Sequence, residues 1–308
     1  MSAPSAPGVL LSTPVLTLLD TREMTWEPSS YMPQALAKPL ARDCDGEPVV
    51  IMRSYSERLR ELPSPVGGYH LDRELYFILG GEVPHWEFDP TELEVARIER
   101  ATMLTLREGY WLDRAPRSPH GGGTPRSPVG LWVISWTVDG ADQFVGECES
   151  AGSPVPALSD DAESAGVVLR NSAVVVRSSR ELAWQPGPVG GAPIKILSRR
   201  EDGDPTVTLR WVHGEGATIG REGHQTFHEF AYVIDGELDV AVDDGPPLRL
   251  RAGSFIDARP GARWRPCGDP PDARGATLLH WRVREGVRLL GDAAKEDRTH
   301  ELVAESRR

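Results

Sequence analysis

The sequence predicts an all-β protein made of two tandem β-barrels, and two observations lead to this fold class. First, short β-rich runs separated by glycine and proline take up most of the 308-residue chain, which is typical of a sandwich or barrel. Second, the landmarks of the first half recur in the same order in the second half, as expected for a duplicated unit.

The β-rich runs follow one another in a regular order. They are EPVVIMRSY, RELYFILGG, ATMLTL and VGLWVISWTV in the first half, and PTVTLRWV, HEFAYVID, ELDVAV and ATLLHWRV in the second. Each run is rich in β-branched and aromatic residues and is bounded by turn residues, so each predicts a strand. ELEVARIERA fits a short helix or a continuing strand, and the charged end GDAAKEDRTHELVAESRR fits a short helix or a frayed tail.

Five pairs of segments establish the repeat. They are TREMTWEP with SRELAWQP, DGEPVVIMR with DGDPTVTLR, ELYFILGGE with EFAYVIDGE, REGYWLDRAP with RAGSFIDARP, and WTVDG with WRVREG. The segment ECESAGSPVPALSDDAESAG between the copies is small, polar and proline-containing, which is typical of a linker. We therefore predict a first domain at 1–150, a linker with the entry to the next strand at 151–177, and a second domain with a charged tail at 178–308.

Composition narrows the class of partner. The net charge is −12 at pH 7, so neither nucleic acid nor an anionic membrane is an expected partner. No apolar run is long enough to span a bilayer, and the N-terminal segment lacks the basic start of a secretion signal, so a cytoplasmic location is predicted. The three cysteines lie far apart and form no CxxC, so no disulfide framework or thiolate zinc site is predicted.

Several segments resemble the cupin superfamily. They are GYHLDRELYFILGGEV and REGYWLDRAPRSPHGG in the first copy, and WQPGPVGGAPIKILSRREDGDPTVTLRW and HQTFHEFAYVIDGEL in the second. The tandem copy looks like a bicupin, and the chain is most similar to the ChrR-like branch, which includes diketone- and hydroxyacetophenone-cleaving dioxygenases and zinc-binding anti-sigma domains. The resemblance implies two double-stranded β-helix barrels, whose interior usually holds a metal ion.

Matched residue by residue, the resemblance implies a metal site in the first copy. His70 and Glu74 fit the first cupin motif and His120 fits the second, while Gly68 stands where a further histidine is expected. The spacing agrees, because residues four apart on a regular strand point to the same face. Two imidazoles and one carboxylate suit a non-haem iron(II) oxygenase, so Fe(II) is the predicted cofactor, with Zn, Mn or Ni as alternatives. The competing interpretation is that both histidines are ordinary polar residues at a barrel mouth.

Three further residues of the first copy are candidates for catalysis. His85 aligns with Val240, which predicts an inward side chain acting as a fourth ligand, a general base or a backbone-bonded strand histidine. Tyr76 shares a face with the predicted glutamate ligand and is either a hydrogen-bond donor to a bound oxygen species or a core residue. Arg114 either holds an anionic substrate or pairs with Asp113 on the surface.

The second copy departs from the cupin pattern. Glu222 occupies the place of the first histidine, and Trp264 aligns with His120. A bulky indole in a ligand position fills the space that a metal needs, so we predict that this copy is metal-free and serves structure or dimerisation. His213 and His280 either line its interior or are ordinary histidines, and strand alternation predicts that Glu229 points into the barrel and His228 out of it. Whether this barrel binds anything through Glu222, His224, His228 or Glu229 is left open.

These inferences lead to one leading function and three alternatives. The leading hypothesis is an iron(II) dioxygenase that oxidises or cleaves a small keto or aromatic metabolite in the first barrel. A metal-dependent isomerase or lyase at the same site, a non-catalytic zinc-binding sensor and a structural bicupin are the alternatives. The expected partners are a small-molecule substrate and, through exposed barrel edges, a second copy of the chain.

Overall fold

The computed structural model describes residues 6–29, 35–55, 72–87, 102–116, 118, 120–122, 130–138, 165–170, 174–187, 192–199, 205–213, 227–267, 275–284 and 289–290. These residues form strands and no helix, which confirms the all-β prediction. No helix able to cross a membrane occurs in these ranges. The predicted ligand His70 lies outside the described residues, as do Glu222 and His224 of the second copy, ELEVARIERA and the whole charged end.

The strands cover both copies of the repeat. Those that begin before residue 150 are β1 (Val9–Ser12), β2 (Leu16–Asp20), β3 (Glu27–Pro28), β4 (Ala35–Arg42), β5 (Pro48–Tyr55), β6 (Arg73–Gly80), β7 (Glu82–Glu87), β8 (Thr102–Arg107), β9 (Tyr110–Arg114), β10 (His120–Gly122) and β11 (Leu131–Val138). Those that begin after it are β12 (Val167–Arg170), β13 (Val174–Ser178), β14 (Ile194–Arg199), β15 (Pro205–Val212), β16 (Phe227–Val242), β17 (Leu248–Arg251), β18 (Ser254–Ala258), β19 (Trp264–Pro266), β20 (Ala276–Arg284) and β21 (Leu289–Leu290).

The chain divides into two compact units. The first-copy unit comprises Trp26–Glu181, Arg200–Gly203 and Val287–Arg308, and the second-copy unit comprises Met1–Thr25, Leu182–Arg199 and Asp204–Gly286. The sheet of the first-copy unit has the order β12-β13-β9-β6-β11-β5-β4-β3, with β21 on β11, and a smaller sheet has the order β10-β7-β8. The sheet of the second-copy unit has the order β1-β2-β18-β16-β20-β15-β14, with β17 and β19 on β16.

Each unit takes two paired strands, at one end of its sheet, from the segment that precedes the other copy. Strand β2 precedes the first repeat but pairs with β18 of the second, and β13 precedes the second repeat but pairs with β9 of the first. The exchange continues past each strand, because the Thr21 amide donates to the Gly253 carbonyl and the Ser179 amide donates to the Gly109 carbonyl. The spatial units are therefore discontinuous in sequence, whereas the boundaries predicted above stay a prediction about the repeated segments.

Equivalent side-chain pairs recur in the two units. Arg73 forms a buried ion pair with Asp113, and His228 pairs with Asp257 at the aligned positions. A lysine also lies over the first tryptophan of each repeat: Lys38 Nζ is 4.3 Å from the Trp26 ring centroid, and Lys195 Nζ is 5.0 Å from that of Trp184. These pairs support the sequence alignment of the copies at the level of individual contacts.

Both faces of the central strands are buried, which explains their continuous apolar runs. In β6, Tyr76 and Ile78 belong to an apolar cluster on one face. Phe77 points to the other face, where its partner in register is Trp111, whose ring lies 5.5 Å from that of Trp136. The face of Tyr76 and Ile78 carries the candidate site at one end and their apolar cluster at the other.

Candidate functional site

The candidate site of the first-copy unit is assembled by four strands. Glu74 of β6 stands opposite Arg114 of β9, and Glu87 of β7 stands opposite His120 of β10. His85 lies two residues before Glu87 and therefore on the same face of β7. Strand alternation and register thus bring two carboxylates, two imidazoles and a guanidinium together from segments that are distant in sequence.

Arg114 lies at the centre of this group and is 1% exposed. Its guanidinium donates to both Glu74 and Glu87, and its Nη2 lies 3.0 Å from His85 Nε2. Burial by itself lowers the pKa of Arg114, but the negative charges of Glu87 and Glu74 outweigh burial and raise that pKa. The surface pair with Asp113 is wrong, because Arg114 is buried and Asp113 pairs with Arg73.

Glu87 is a fully buried carboxylate that the sequence analysis did not select. Burial raises the pKa of such a group, but Arg114 and then His85 more than compensate and lower the pKa of Glu87 to about 2. His85 Nε2 lies 2.7 Å from Glu87 Oε1. A carboxylate only accepts, so a hydrogen bond to Glu87 uses a proton on Nε2, whereas one from Arg114 Nη2, which only donates, uses the Nε2 lone pair of the other tautomer. Glu87 could have been found from sequence by its even spacing from His85 in PHWEF.

His120 is oriented by its own turn. Its Nδ1 donates to the Ser118 carbonyl at 3.0 Å, which leaves a lone pair on Nε2. That Nε2 lies 4.0 Å from Glu74 Oε2, and the ring stacks near His85 with centroids 6.1 Å apart. A histidine whose second nitrogen is fixed by a backbone carbonyl is the usual preparation for metal ligation.

Glu74 and His120 are therefore the described residues that fit a metal ion. Their facing oxygen and nitrogen atoms are hard and borderline donors of the kind that Fe, Mn and Zn take, and their 4.0 Å separation is too long for a direct hydrogen bond. The third predicted ligand, His70, lies outside the described residues. Within the described ranges, no group of three or more His, Cys, Asp or Glu side chains meets the geometry of a metal site, so the full triad stays a prediction.

Two other side chains complete this face. Tyr76 is 9% exposed, and burial raises its pKa, so its hydroxyl stays protonated. The Arg114 guanidinium lies 5.7 Å from the Tyr76 ring centroid. Arg53, also buried, donates to Ser135 from the neighbouring strands. The repeat held the signal for Arg53, because DGEPVVIMR and DGDPTVTLR both end in arginine.

The second-copy unit has an apolar counterpart of this site. Trp264 pairs in register with Val242, as His120 does with Glu87, and Trp264 packs against the apolar core. Val240 takes the place of His85 and is fully buried in that core. The metal-free assignment of this unit stays a prediction, because Glu222 and His224 lie outside the described residues.

His213, His228 and His280 of the second copy have different surroundings. His213 is exposed and stacks on Trp211, and His228 pairs with Asp257. His280 is 1% exposed, and its Nε2 lies 3.8 Å from Glu229 Oε2. Of these residues only Glu229 and His280 meet inside the unit.

Comparison with known proteins identifies the fold. Residues 212–288 match the EutQ-like cupin domain family, and no curated protein matches the chain. Among solved structures, the chain is similar to the Streptomyces albus enzyme HEPD with 2-hydroxyethylphosphonate and Fe(II) bound, at 13% identity and a TM-score of 0.57, over 90% of this chain and 78% of that one.

Two further structures cover a similar share of the chain. A putative glyoxylate-induced protein from Pseudomonas aeruginosa has 11% identity and a TM-score of 0.57, over 92% of this chain and 93% of that one. A mutant of Bacillus subtilis oxalate decarboxylase OxdC has 11% identity and a TM-score of 0.51, over 91% and 80%. The chain therefore has the cupin fold, and its residues 212–288 match the EutQ-like cupin domain of that superfamily.

Proposed function

We propose that this chain is a metal-dependent cupin enzyme with its active site in the first-copy unit, and that it is an iron(II) dioxygenase resembling the ChrR-like cupins. The observation that carries the proposal is the lone pair of His120 Nε2 facing Glu74 Oε2 at 4.0 Å, with His120 fixed by the Ser118 carbonyl. Fe(II) in the structurally similar HEPD supports the choice of metal.

Glu74 and His120, with His70, would hold the metal ion. Two imidazoles and one carboxylate leave coordination positions open, so a bound Fe(II) would supply binding places for substrate oxygen and dioxygen. Arg114 orients Glu74 through an ion pair, and the Ser118 carbonyl orients His120 by accepting a hydrogen bond from Nδ1. Such supporting contacts fix ligand geometry and tune the metal.

His85 and Tyr76 supply proton chemistry on the same face. In the tautomer in which Nε2 of His85 donates to Glu87, Nδ1 is the nitrogen that can accept a proton from a substrate. The buried Tyr76 hydroxyl stays protonated and can donate a hydrogen bond to a developing negative charge on a substrate oxygen. Arg114 already bonds both carboxylates, so it acts as an internal counter-ion rather than as the receptor for an anionic substrate.

The apolar surroundings favour a small keto or aromatic substrate. Tyr76, Ile78, Leu112 and Val133 form one cluster on the face that carries Glu74. An apolar wall beside a few convergent polar groups is the general design of a small-molecule site, and it suits a flat, weakly polar molecule better than a sugar phosphate.

Metal analysis and oxygen consumption test the proposal. The chain, purified without chelator, is analysed for bound metals, reconstituted with Fe(II) under anaerobic conditions, and assayed with a panel of diketones and phenols. Iron loading with substrate-dependent oxygen uptake supports the dioxygenase. Turnover without oxygen uptake would indicate an isomerase or lyase, and tight zinc without turnover would indicate a sensor.

Substitution of the ligands locates the metal. His120→Ala and Glu74→Gln should each lower metal occupancy by at least about tenfold, because each removes a first ligand. Glu229→Gln, the aligned change in the second-copy unit, is the matched control and should leave metal occupancy unchanged. Equal metal loss in Glu229→Gln would show that the metal site belongs to the other unit.

A further inference from the structure

The first-copy site contains a buried hydroxyl group that the proposed chemistry does not use. Ser118 is fully buried, and its carbonyl accepts the hydrogen bond from His120 Nδ1. Its side-chain Oγ, by contrast, has no hydrogen-bond partner among the described residues. A hydroxyl buried without a partner shifts the folding equilibrium toward the unfolded state by about 5- to 100-fold. Such a cost beside a candidate ligand indicates that a bound molecule supplies the partner.

The second copy carries alanine at the position of this serine. Aligning REGYWLDRAP with RAGSFIDARP and continuing for two residues places Ser118 on Ala262. The same turn is present in both copies, because the Ser118 amide donates to the Ala115 carbonyl at 3.4 Å and the Ala262 amide donates to the Arg259 carbonyl at 3.0 Å. The turn therefore does not require a serine, and the hydroxyl is an addition in the copy that carries the candidate site.

Ala262 shows where a side chain at this position of the turn points. It is 3% exposed and belongs to the same apolar cluster as Ala258. Ala258 stands where the first-copy unit has Arg114. The cluster therefore occupies the face that, in the first-copy unit, carries the candidate site. Because the turn is shared, Ser118 directs its Oγ to the face of Arg114.

The position of Ser118 beside His120 selects the part of a ligand that meets its hydroxyl. Ser118 contacts the Nδ1 side of the imidazole, whereas the lone pair proposed to bind the metal is on Nε2, across the ring. The atom that bonds Ser118 Oγ is therefore a different atom of the ligand from the one at the metal. A serine hydroxyl carries no charge and both donates and accepts, so it suits an uncharged hydroxyl or carbonyl oxygen.

We propose that Ser118 is a specificity-determining residue of the first-copy site, whose hydroxyl bonds an uncharged oxygen of the substrate other than the oxygen held at the metal. This proposal rests on the active site proposed above. It selects substrates with two oxygen functions over simple ketones, because a simple ketone leaves the buried hydroxyl of Ser118 unpaired. The cost of that hydroxyl to the free protein is offset when the substrate binds.

Reciprocal substitutions in the metal-free chain test whether the hydroxyl is unpaired in the free protein. Ser118→Ala should raise the midpoint of thermal unfolding by about 2 °C or more, because it removes an unpaired buried group from a turn that alanine fits. Ala262→Ser, the reverse change in the second copy, should lower the midpoint by a similar amount. Ser118→Ala keeps the carbonyl that orients His120, so its metal occupancy should equal that of the wild type.

Two ketones that differ by one hydroxyl test the ligand. Butanone and 4-hydroxybutanone are titrated calorimetrically into the Zn(II)-loaded chain, because zinc has no redox chemistry and allows binding without oxidation. The wild type should bind the hydroxylated ketone at least about fivefold more tightly, the effect of one added hydrogen bond. Ser118→Ala should bind both ketones with nearly equal affinity. Ala262→Ser is the control and should keep the preference of the wild type.

Several results would overturn the role of Ser118. An unchanged or lower unfolding midpoint in Ser118→Ala would show that the hydroxyl is already paired in the free protein. A wild type that binds both ketones equally, or binds neither, would show that the hydroxyl selects nothing, as would a preference that Ser118→Ala retains. A wild type that takes up no metal would instead overturn the proposed function, and the stability comparison, made on the metal-free chain, would be unaffected by that failure.

Discussion

Arg114 is shared between Glu74 and Glu87, and this sharing fixes the position of both carboxylates. The buried Arg53 lies on the same face, so two guanidiniums accompany the two carboxylates there. A buried carboxylate without full compensation is costly. Both carboxylates are therefore held by fixed positive charges, which leaves Glu74 in place 4.0 Å from His120 Nε2.

The buried His280 should make the protein sensitive to mild acid. Its pKa in the folded state, about 4, is below its ordinary value of 6.5 because of burial and Arg210. The unfolded chain therefore binds this proton more readily, so the contribution of His280 to stability is present above pH 6.5 and is lost as the pH falls toward 4. A difference of this size corresponds to about 3 kcal/mol.

Replacement of His280 should reduce that sensitivity. In urea unfolding at pH 7 and pH 4.5, the loss of unfolding free energy on acidification should be about 2–3 kcal/mol smaller in His280→Gln than in the wild type. His213→Gln changes an exposed histidine and should behave as the wild type. An equal loss in His280→Gln and in the wild type would contradict the buried neutral imidazole.

The sequence predicts on which face of a strand each side chain of the site lies, but not which distant residue becomes its partner. Glu74, Tyr76 and His85 were selected because parity on a strand fixes the face of a side chain, and the structure places all three on the same side as Arg114. Parity cannot say which distant strand supplies the partner. The burial of Arg114 follows from its pairing with Glu87, a contact between strands β9 and β7 that no local pattern encodes.

The chain passes from one set of strand partners to the next at Gly81, between β6 and β7, and at the aligned Gly236, within β16. Both residues have φ near +80°, and a Cβ at either would lie about 2 Å from a backbone oxygen, that of Gly130 for Gly81 and that of Gly275 for Gly236. The glycine pair at the end of RELYFILGG is a local signal for such a change of direction. The close approach of a distant strand end adds a second reason for glycine there.

Alanine at Gly81 or at Gly236 should strongly destabilise the unit that contains it. We expect Gly81→Ala and Gly236→Ala to lower the unfolding free energy by roughly 3 kcal/mol or more, because a contact with backbone cannot be relieved by a side-chain rotation. Gly46→Ala has the same positive φ but no atom within 4 Å, so it should cost only about 1–2 kcal/mol. Urea unfolding measures all three, and equal losses would show that the backbone angle alone explains the glycines.

Secondary structure and strand pairing differ in how far sequence could predict them. The β-rich runs gave strands at nearly all the expected places, because alternation and turn residues act locally. Strands β2 (LTLLD) and β13 (VVVRS) have the same β-rich character, and nothing in either segment specifies which sheet it joins. Their exchange between the copies depends on long-range contacts, so it appears only in the structure.

The exchange predicts that a substitution in one copy opens the unit built mainly from the other. Leu18 is fully buried in the core of the second-copy unit, and Val176 is fully buried in that of the first-copy unit. An aspartate at either position buries a charge, which costs several kcal/mol. In hydrogen–deuterium exchange with mass spectrometry, Leu18→Asp should raise exchange in strands β16, β18 and β20 and spare β6 and β9. Val176→Asp should do the reverse. If Leu18→Asp instead opened β6 and β9, strand β2 would belong with its own copy, and the assignment of the exchanged strands would fail.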